Sequence, residues 1–310
     1  MRERVLVTGA GGFVCRYVVE ALAVTGMRVI AVDQSFDSDL AQRWKSLPIE
    51  LLSNDCRSLP RVPVDYVVHG AALTAGPEEA NQSPIENYRA NLDPALDVLQ
   101  WAAAAGAKRT IVVSSSAVFR GSPESVYTEE TLPVATGTYM AAKRAIELVA
   151  QTLRTDYGQD VVSIRLGSVY GPTEIARETR PRVSRVMRLL HDAMSQRVLR
   201  VPSDGDRMDW TYAPDIGQAL VALLGAPSLN HDLYHVTSGE ALTDLEIARA
   251  VAAVLPGADV ELLDPQVPPY RGAMTGTRLA HDTGFNAWTS FRDGLASVVM
   301  WLQQESERVP

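Results

Sequence analysis

The chain has 310 residues, 46% hydrophobic and 21% charged, a composition typical of globular proteins and long enough for a large core with a second lobe. A net charge of −8 argues against a nucleic-acid binder, which would carry a basic face, although residues 177–188 form a local basic run. Two cysteines, Cys15 and Cys56, exclude a disulfide framework. No basic start with a long apolar run precedes Val5, and no apolar run reaches membrane-spanning length, so the expectation is a soluble cytoplasmic protein that engages no membrane.

Val5, Leu6 and Val7 predict a buried parallel strand. The run breaks at Gly9, Gly11 and Gly12, and residues 13–23 repeat apolar side chains at helical spacing. Strand, glycine turn and helix together form the context of a dinucleotide site, where the helix start offers free N–H groups and a positive dipole end. Residues 28–33 form a second strand ending in Asp33, placed to accept from a ribose hydroxyl. A polar helix over residues 39–45 leads to a strand at 50–52 and then to Asn54 and Asp55. Further strands are expected at 64–68, 110–113 and 161–166, with helices at 85–105 and 138–157 between them. This alternation predicts a doubly wound parallel α/β sheet with right-handed crossovers.

After Tyr170-Gly171-Pro172 the loops lengthen and a helix over 183–196 stands apart. A helix over 215–224 and a strand over 233–236 return to the sheet. Thr243 to Glu246 reads as a capping box opening a helix to about residue 255. A proline-rich loop around 265–269 and an amphipathic helix over 291–304 finish the chain. The domain reading is a dinucleotide-binding unit of residues 1–168, with 209–238 returning to it. A smaller, interleaved substrate lobe takes residues 169–208 and 239–310.

Tyr139 and Lys143 lie four apart at the start of the long helix, so phenol and ammonium share a face. A fixed cation favours phenolate and is expected to lower the tyrosine's pKa. Ser115, at the end of a strand, lies on the sheet edge where ligands of such folds bind. A hydroxyl there can hold a substrate oxygen while Tyr139 moves the proton. His231 and His235 are four apart but have no third ligand, and no metal site is expected. His69 reads as a residue packed beneath a cofactor.

With these residues in place, the chain resembles the extended short-chain dehydrogenase/reductase family, in its NAD-dependent epimerase/dehydratase group, over nearly its whole length. The signatures fall at residues 8–13, at Asp33 and Asp55, at His69-Gly70-Ala71-Ala72, at Asn91, at Ser114 and Ser115, at Tyr139 with Lys143, and at residues 169–172. Asp209-Trp210-Thr211-Tyr212 with Asp215, and Thr283-Gly284-Phe285, extend it into the second lobe. The resemblance implies NAD as cofactor, held by Gly9, Gly11, Gly12, Phe13, Asp33, Asp55, Ala71, Asn91, Tyr139 and Lys143. It implies Tyr139 as general acid/base, Lys143 on the nicotinamide ribose, and Ser115 on the substrate oxygen, with Thr74, Ser116, Ser168, Arg182 and Arg207 around a small-molecule substrate. It also implies a homodimer built on the two long helices. These carry surplus apolar or alanine positions at Ala95, Leu96, Leu99 and Ala103, and at Ala142, Ile146, Val149 and Leu153. Core packing within one chain is the competing explanation.

The departures bear on the reaction. Cys15 replaces the third loop glycine and Ser168 the usual asparagine. Met208 replaces an arginine, leaving Arg207 one place early; Arg180, Arg182 or Arg185 could substitute for it. Ser116 and Ala117 stand where dehydratases carry Asp and Glu, which argues against dehydration. The reading is an NAD-dependent oxidoreductase or epimerase acting by hydride transfer on a nucleotide sugar or a smaller sugar acid or polyol. A non-catalytic nucleotide-binding regulator on the same fold is the alternative.

Overall fold

The seven apolar runs read as strands are the seven strands of one parallel sheet. The computed structural model describes residues 2–203, 206–265 and 271–308. In chain order the first half holds β1 (Arg4–Thr8), α1 (Cys15–Val24), β2 (Arg28–Asp33), α2 (Ser38–Trp44), β3 (Ile49–Ser53), β4 (Tyr66–His69), α3 (Pro84–Ala104), β5 (Arg109–Ser115), β6 (Val126–Tyr127), α4 (Thr138–Thr155) and β7 (Val161–Leu166). The second half holds β8 (Ser168–Tyr170), α5 (Arg185–Ser195), β9 (Val198–Pro202), β10 (Arg207–Tyr212), α6 (Ala213–Gly225), β11 (Leu233–Val236), β12 (Ala241–Thr243), α7 (Asp244–Val254), β13 (Asp259–Leu263), β14 (Ala273–Met274), α8 (Arg278–Thr283) and α9 (Phe291–Arg308).

The main sheet runs β11-β7-β5-β4-β1-β2-β3. The strand order reverses direction between β1 and β4, which puts a ligand crevice at their carboxyl ends. Alternation along β1 explains the two layers. Val5 and Val7 face Val18 and Leu22 of α1 and Ile216 and Leu220 of α6. Leu6 faces the opposite layer, with Val98 and Ala102 of α3. Ser83 and Glu86 form a capping box that fixes the start of α3, satisfying two otherwise unpaired backbone donors.

The second lobe has its own core, with Leu189 and Leu190 of α5, Ile247 and Val251 of α7, and Leu295 and Val298 of α9 around Trp210. Here the sequence reading needs correction. β10 does not join the main sheet but pairs with β8 and β12 in a three-stranded sheet, so the return to the first unit begins with α6. Within the C-terminal stretch, Leu279 of α8 packs into the first unit's core. The short pairings β13 with β9 and β14 with β6 escaped the reading because two- to five-residue strands carry little periodicity. Of the proline-rich loop only Pro265 belongs to the described residues; 266–269 lie outside them.

The surplus apolar positions on the long helices are largely used within one chain. Ala95 and Leu99 of α3 meet Ile146 and Ala150 of α4 over Val112 and Val161, with Val149 and Leu153 packed alongside. Leu96 and Leu148 remain exposed, at 38% and 45%, and Ala103 is exposed as well. Among the described residues no helix is long and apolar enough to cross a membrane.

Candidate active site

The carboxyl ends of β1, β4 and β5 open onto a cleft of about 970 Å³ whose wall includes Ser115, Tyr139 and Lys143. α4 lies along β5, which brings these three side chains together. The Ser115 hydroxyl faces the Tyr139 phenol, and Lys143 Nζ lies 5.7 Å from the centre of the tyrosine ring. Lys143 donates to the Val113 carbonyl at 2.7 Å. Burial pulls its amine down to about 8. Burial also pushes the phenol up to about 12, against the opposing pull of Ser115 and of the Arg180 charge. This corrects the expectation that Lys143 sets the tyrosine's pKa: the ammonium is engaged by a strand carbonyl, and desolvation dominates.

The cofactor half is built by the glycine loop. Gly9 adopts φ +68, and a Cβ there would sit 2.7 Å from the Ala71 nitrogen, so only glycine fits. The Gly11 N–H donates to Asp33 Oδ2 at 2.9 Å and the Gln34 N–H to Asp33 Oδ1 at 2.8 Å. These bonds fix the carboxylate at the end of β2, with lone pairs left for a ribose hydroxyl. No side chain caps α1, and its first residues line the cleft with Gly9, Gly12 and Phe13. An uncapped helix start beside a glycine cradle and a strand-end carboxylate fits a dinucleotide pyrophosphate and ribose. Arg16, which no motif marks, braces the loop by donating to the Gly11 and Gly12 carbonyls.

Cys15 is accommodated by its neighbour. A Cβ on Gly70 would lie 2.2 Å from the Cys15 sulfur, so the thiol fills space that glycine leaves. Burial pushes that thiol up to about 12. His69 is buried under the loop with Nδ1 bonded to Thr8 Oγ1 at 2.8 Å. Burial pulls its imidazole down to about 3, which keeps it neutral. Ala71 and Asp55 line the cleft; the Asp55 carboxylate is held by Arg57. Asn91 does not reach the wall. Its amide clamps the Leu73 backbone, accepting at 2.9 Å and donating at 3.0 Å, which makes it a support for the loop after β4.

The residues assigned to substrate divide. Thr74 lines the cleft, but its hydroxyl and N–H both bond to the Thr179 carbonyl. Arg182 is on the rim, largely exposed and paired with Glu79. Ser168 turns its hydroxyl toward Met208 Sδ at 3.9 Å and is not part of the wall. Arg207 is also away from the cleft, bonded to both Glu246 oxygens on the surface. The physical reason is strand alternation: Met208 points inward and Arg207 outward, because a one-residue displacement reverses the face. Arg185 pairs with Asp244, whereas Arg180 stacks over the Phe13 ring at 5.0 Å and is held by the buried Glu174.

Ser116 is buried next to Ser115 and accepts from Arg271 Nη2 at 3.2 Å. Arg271 was missed at the sequence level, since a lone arginine beyond a proline-rich loop has no spacing that marks it. It is a guanidinium on Ser116, and neither residue is part of the cleft wall. Among the described residues no cluster of His, Cys, Asp or Glu could hold a metal ion.

The profile of the NAD dependent epimerase/dehydratase family matches residues 5–236. A dTDP-glucose 4,6-dehydratase of Streptomyces niveus is 26% identical over 97% of this chain and 93% of its own length. A UDP-glucose 4-epimerase of Mycolicibacterium smegmatis is 23% identical over 98% of this chain and 100% of its own. The solved UDP-N-acetylglucosamine 4-epimerase of Methanobrevibacter ruminantium M1 superposes with a TM-score of 0.85 at 22% identity, covering 98% of this chain and 100% of that one. The glycine cradle, the Asp33 carboxylate and the Tyr139–Lys143 pair thus sit in a chain that belongs to the NAD-dependent epimerase/dehydratase family and uses NAD as its cofactor.

Proposed function

We propose that the protein transfers hydride at a secondary alcohol or carbonyl carbon of a nucleoside-diphosphate sugar, with epimerisation rather than elimination as the outcome. The observation that carries this reading is the facing pair of hydroxyls, Ser115 and Tyr139, on the cleft wall beside Lys143. NAD, when bound, supplies the hydride acceptor. Ser115 orients the reacting oxygen, and Tyr139 Oη takes or returns its proton. A phenol raised by burial is a poor acid, and the Arg180 charge opposes that rise. Ser116 and Ala117 offer no carboxylate for removing a water. Arg177, Arg180 and Arg182 on the cleft wall support the nucleotide sugar over a small acid, because a guanidinium fork suits a phosphate.

The test is a thermal-shift panel with NAD present, comparing UDP-, GDP- and dTDP-sugars with free sugar acids and polyols. The expected result is stabilisation by a nucleotide sugar, about 2.7 kcal/mol at one hundred times its dissociation constant. Stabilisation by free acids or polyols alone overturns the substrate class.

We also propose a homodimer, as in the resemblance, with the exposed Leu96 and Leu148 at the contact. A two-fold axis places each such patch against its own copy. Light scattering at micromolar concentration is expected to give twice the 33.7 kDa chain mass; a monomer mass removes the dimer and leaves the fold untouched.

A further inference from the structure

One face of α4 meets β5 at four-residue intervals. Tyr139 faces Ser115, Lys143 donates to the Val113 carbonyl at 2.7 Å, and Ser114 Oγ donates to Glu147 Oε1 at 2.6 Å. Three consecutive strand residues are therefore tied to one helical stripe. The first two helix residues belong to the chemistry proposed above, and the third has no part in it.

Glu147 is only 4% exposed. Arg165 of β7 grips it twice, Nε to Oε1 at 2.9 Å and Nη2 to Oε2 at 2.8 Å, and Arg144 adds a bond to Oε2 at 3.1 Å. Arg165 itself stacks on the Phe119 ring at 4.8 Å. Burial alone would raise the Glu147 carboxyl, but its bonds to Arg165, Ser114 and Arg144 hold it below the usual range. It is an ionised carboxylate.

The other groups around Lys143 are neutral. The Cys15 thiol of α1 and the Tyr139 phenol of α4 are each pushed up to about 12 by burial. The His69 imidazole of β4 is pulled down to about 3. Among the described residues that face Lys143 from these elements, Glu147 is the one carrying charge near neutral pH. A buried ion pair adds little stability compared with apolar packing, so its position one turn from Lys143 calls for another explanation.

We propose that Glu147 is a positioning residue of this site, anchoring Ser114 and hence the strand end that presents Ser115, and giving Lys143 a buried counter-charge. The proposal rests on the reading of Ser115, Tyr139 and Lys143 as the chemical groups. Its test requires no substrate. Trace acetylation by acetic anhydride from neutral to alkaline pH, read by mass spectrometry, gives the ionisation midpoint of Lys143, which lines the open cleft and lies near 8 in the native chain. Glu147→Gln lowers that midpoint by about one pH unit. Ser114→Ala cuts the anchor, keeps the charge and leaves the midpoint in place.

Glutamine leaves Arg165 buried without its partner, so the double variant Glu147→Gln with Arg165→Met protects the fold. Its midpoint falls too, because Glu147 acts on Lys143 and Arg165 does not. A native midpoint in either Glu147 variant, or an equal fall with Ser114→Ala, overturns the proposal. Labelling needs no turnover, so this outcome is separate from any test of the reaction.

Discussion

Replacing Tyr139 with phenylalanine lowers turnover by about 10²–10⁴-fold, the range over which a positioned acid–base group contributes. The ring stays, so the cleft wall and the packing of α4 on β5 stay with it. Only the hydroxyl that faces Ser115 is lost. NAD binding by calorimetry is therefore expected to change little, since Gly9 and Asp33 act at the other end of the cleft. The measurement is steady-state turnover on the nucleotide sugar that the thermal-shift panel identifies, beside NAD titration of the same preparation. Turnover at the native rate would remove Tyr139 from the chemistry.

The largest stability effect is expected at Gly70. Its φ is not in the left-handed region, so alanine carries no backbone strain there. The cost arises from contact, because the new Cβ would lie 2.2 Å from the Cys15 sulfur and 3.3 Å from the Thr8 carbonyl oxygen. Overpacking of this kind costs about 1–3 kcal/mol, and both the glycine loop and α1 would have to shift. Cys15→Gly in the same chain reopens the space. The pair should show a coupling of about 0.5–3 kcal/mol in a double-mutant cycle, as contacting residues do. Denaturant unfolding of the two single variants and the double decides it. Strictly additive effects would mean that the thiol and the glycine do not share this space.

Legibility in the sequence followed length and period. The central sheet was readable because each strand is a continuous apolar run bounded by turn residues, and β2, β7 and β11 match residue for residue. The ends of helices were not, since their last turns depend on tertiary contacts: α9 continues to Arg308, well past the apolar stripe. At the site, Ser115, Tyr139 and Lys143 could be found from spacing along one strand and one helix. Arg207 could not be placed without knowing on which face of β10 it falls. Asn91 was readable as a motif position but not as a clamp on the Leu73 backbone, which exists only once α3 lies beside the loop after β4. Glu147 was invisible for a different reason: a glutamate at helical spacing reads as solvent-facing until Arg165, on another element, is brought against it.

The segment after Pro172 carries a consequence for how the protein handles its dinucleotide. Thr179 accepts from the Thr74 and Ala75 N–H groups on one side of the cleft, and Arg177 reaches Asp37 beyond β2 on the other. The strand-like turn between Arg177 and Arg180 thus lines the cleft and is tied to both of its sides. A dinucleotide leaving between these two walls would have to part them first. An enzyme that consumed its oxidant each cycle would be throttled by such a closure. One that restores its own oxidant within each turnover would not, and would keep a single molecule of it through many catalytic cycles.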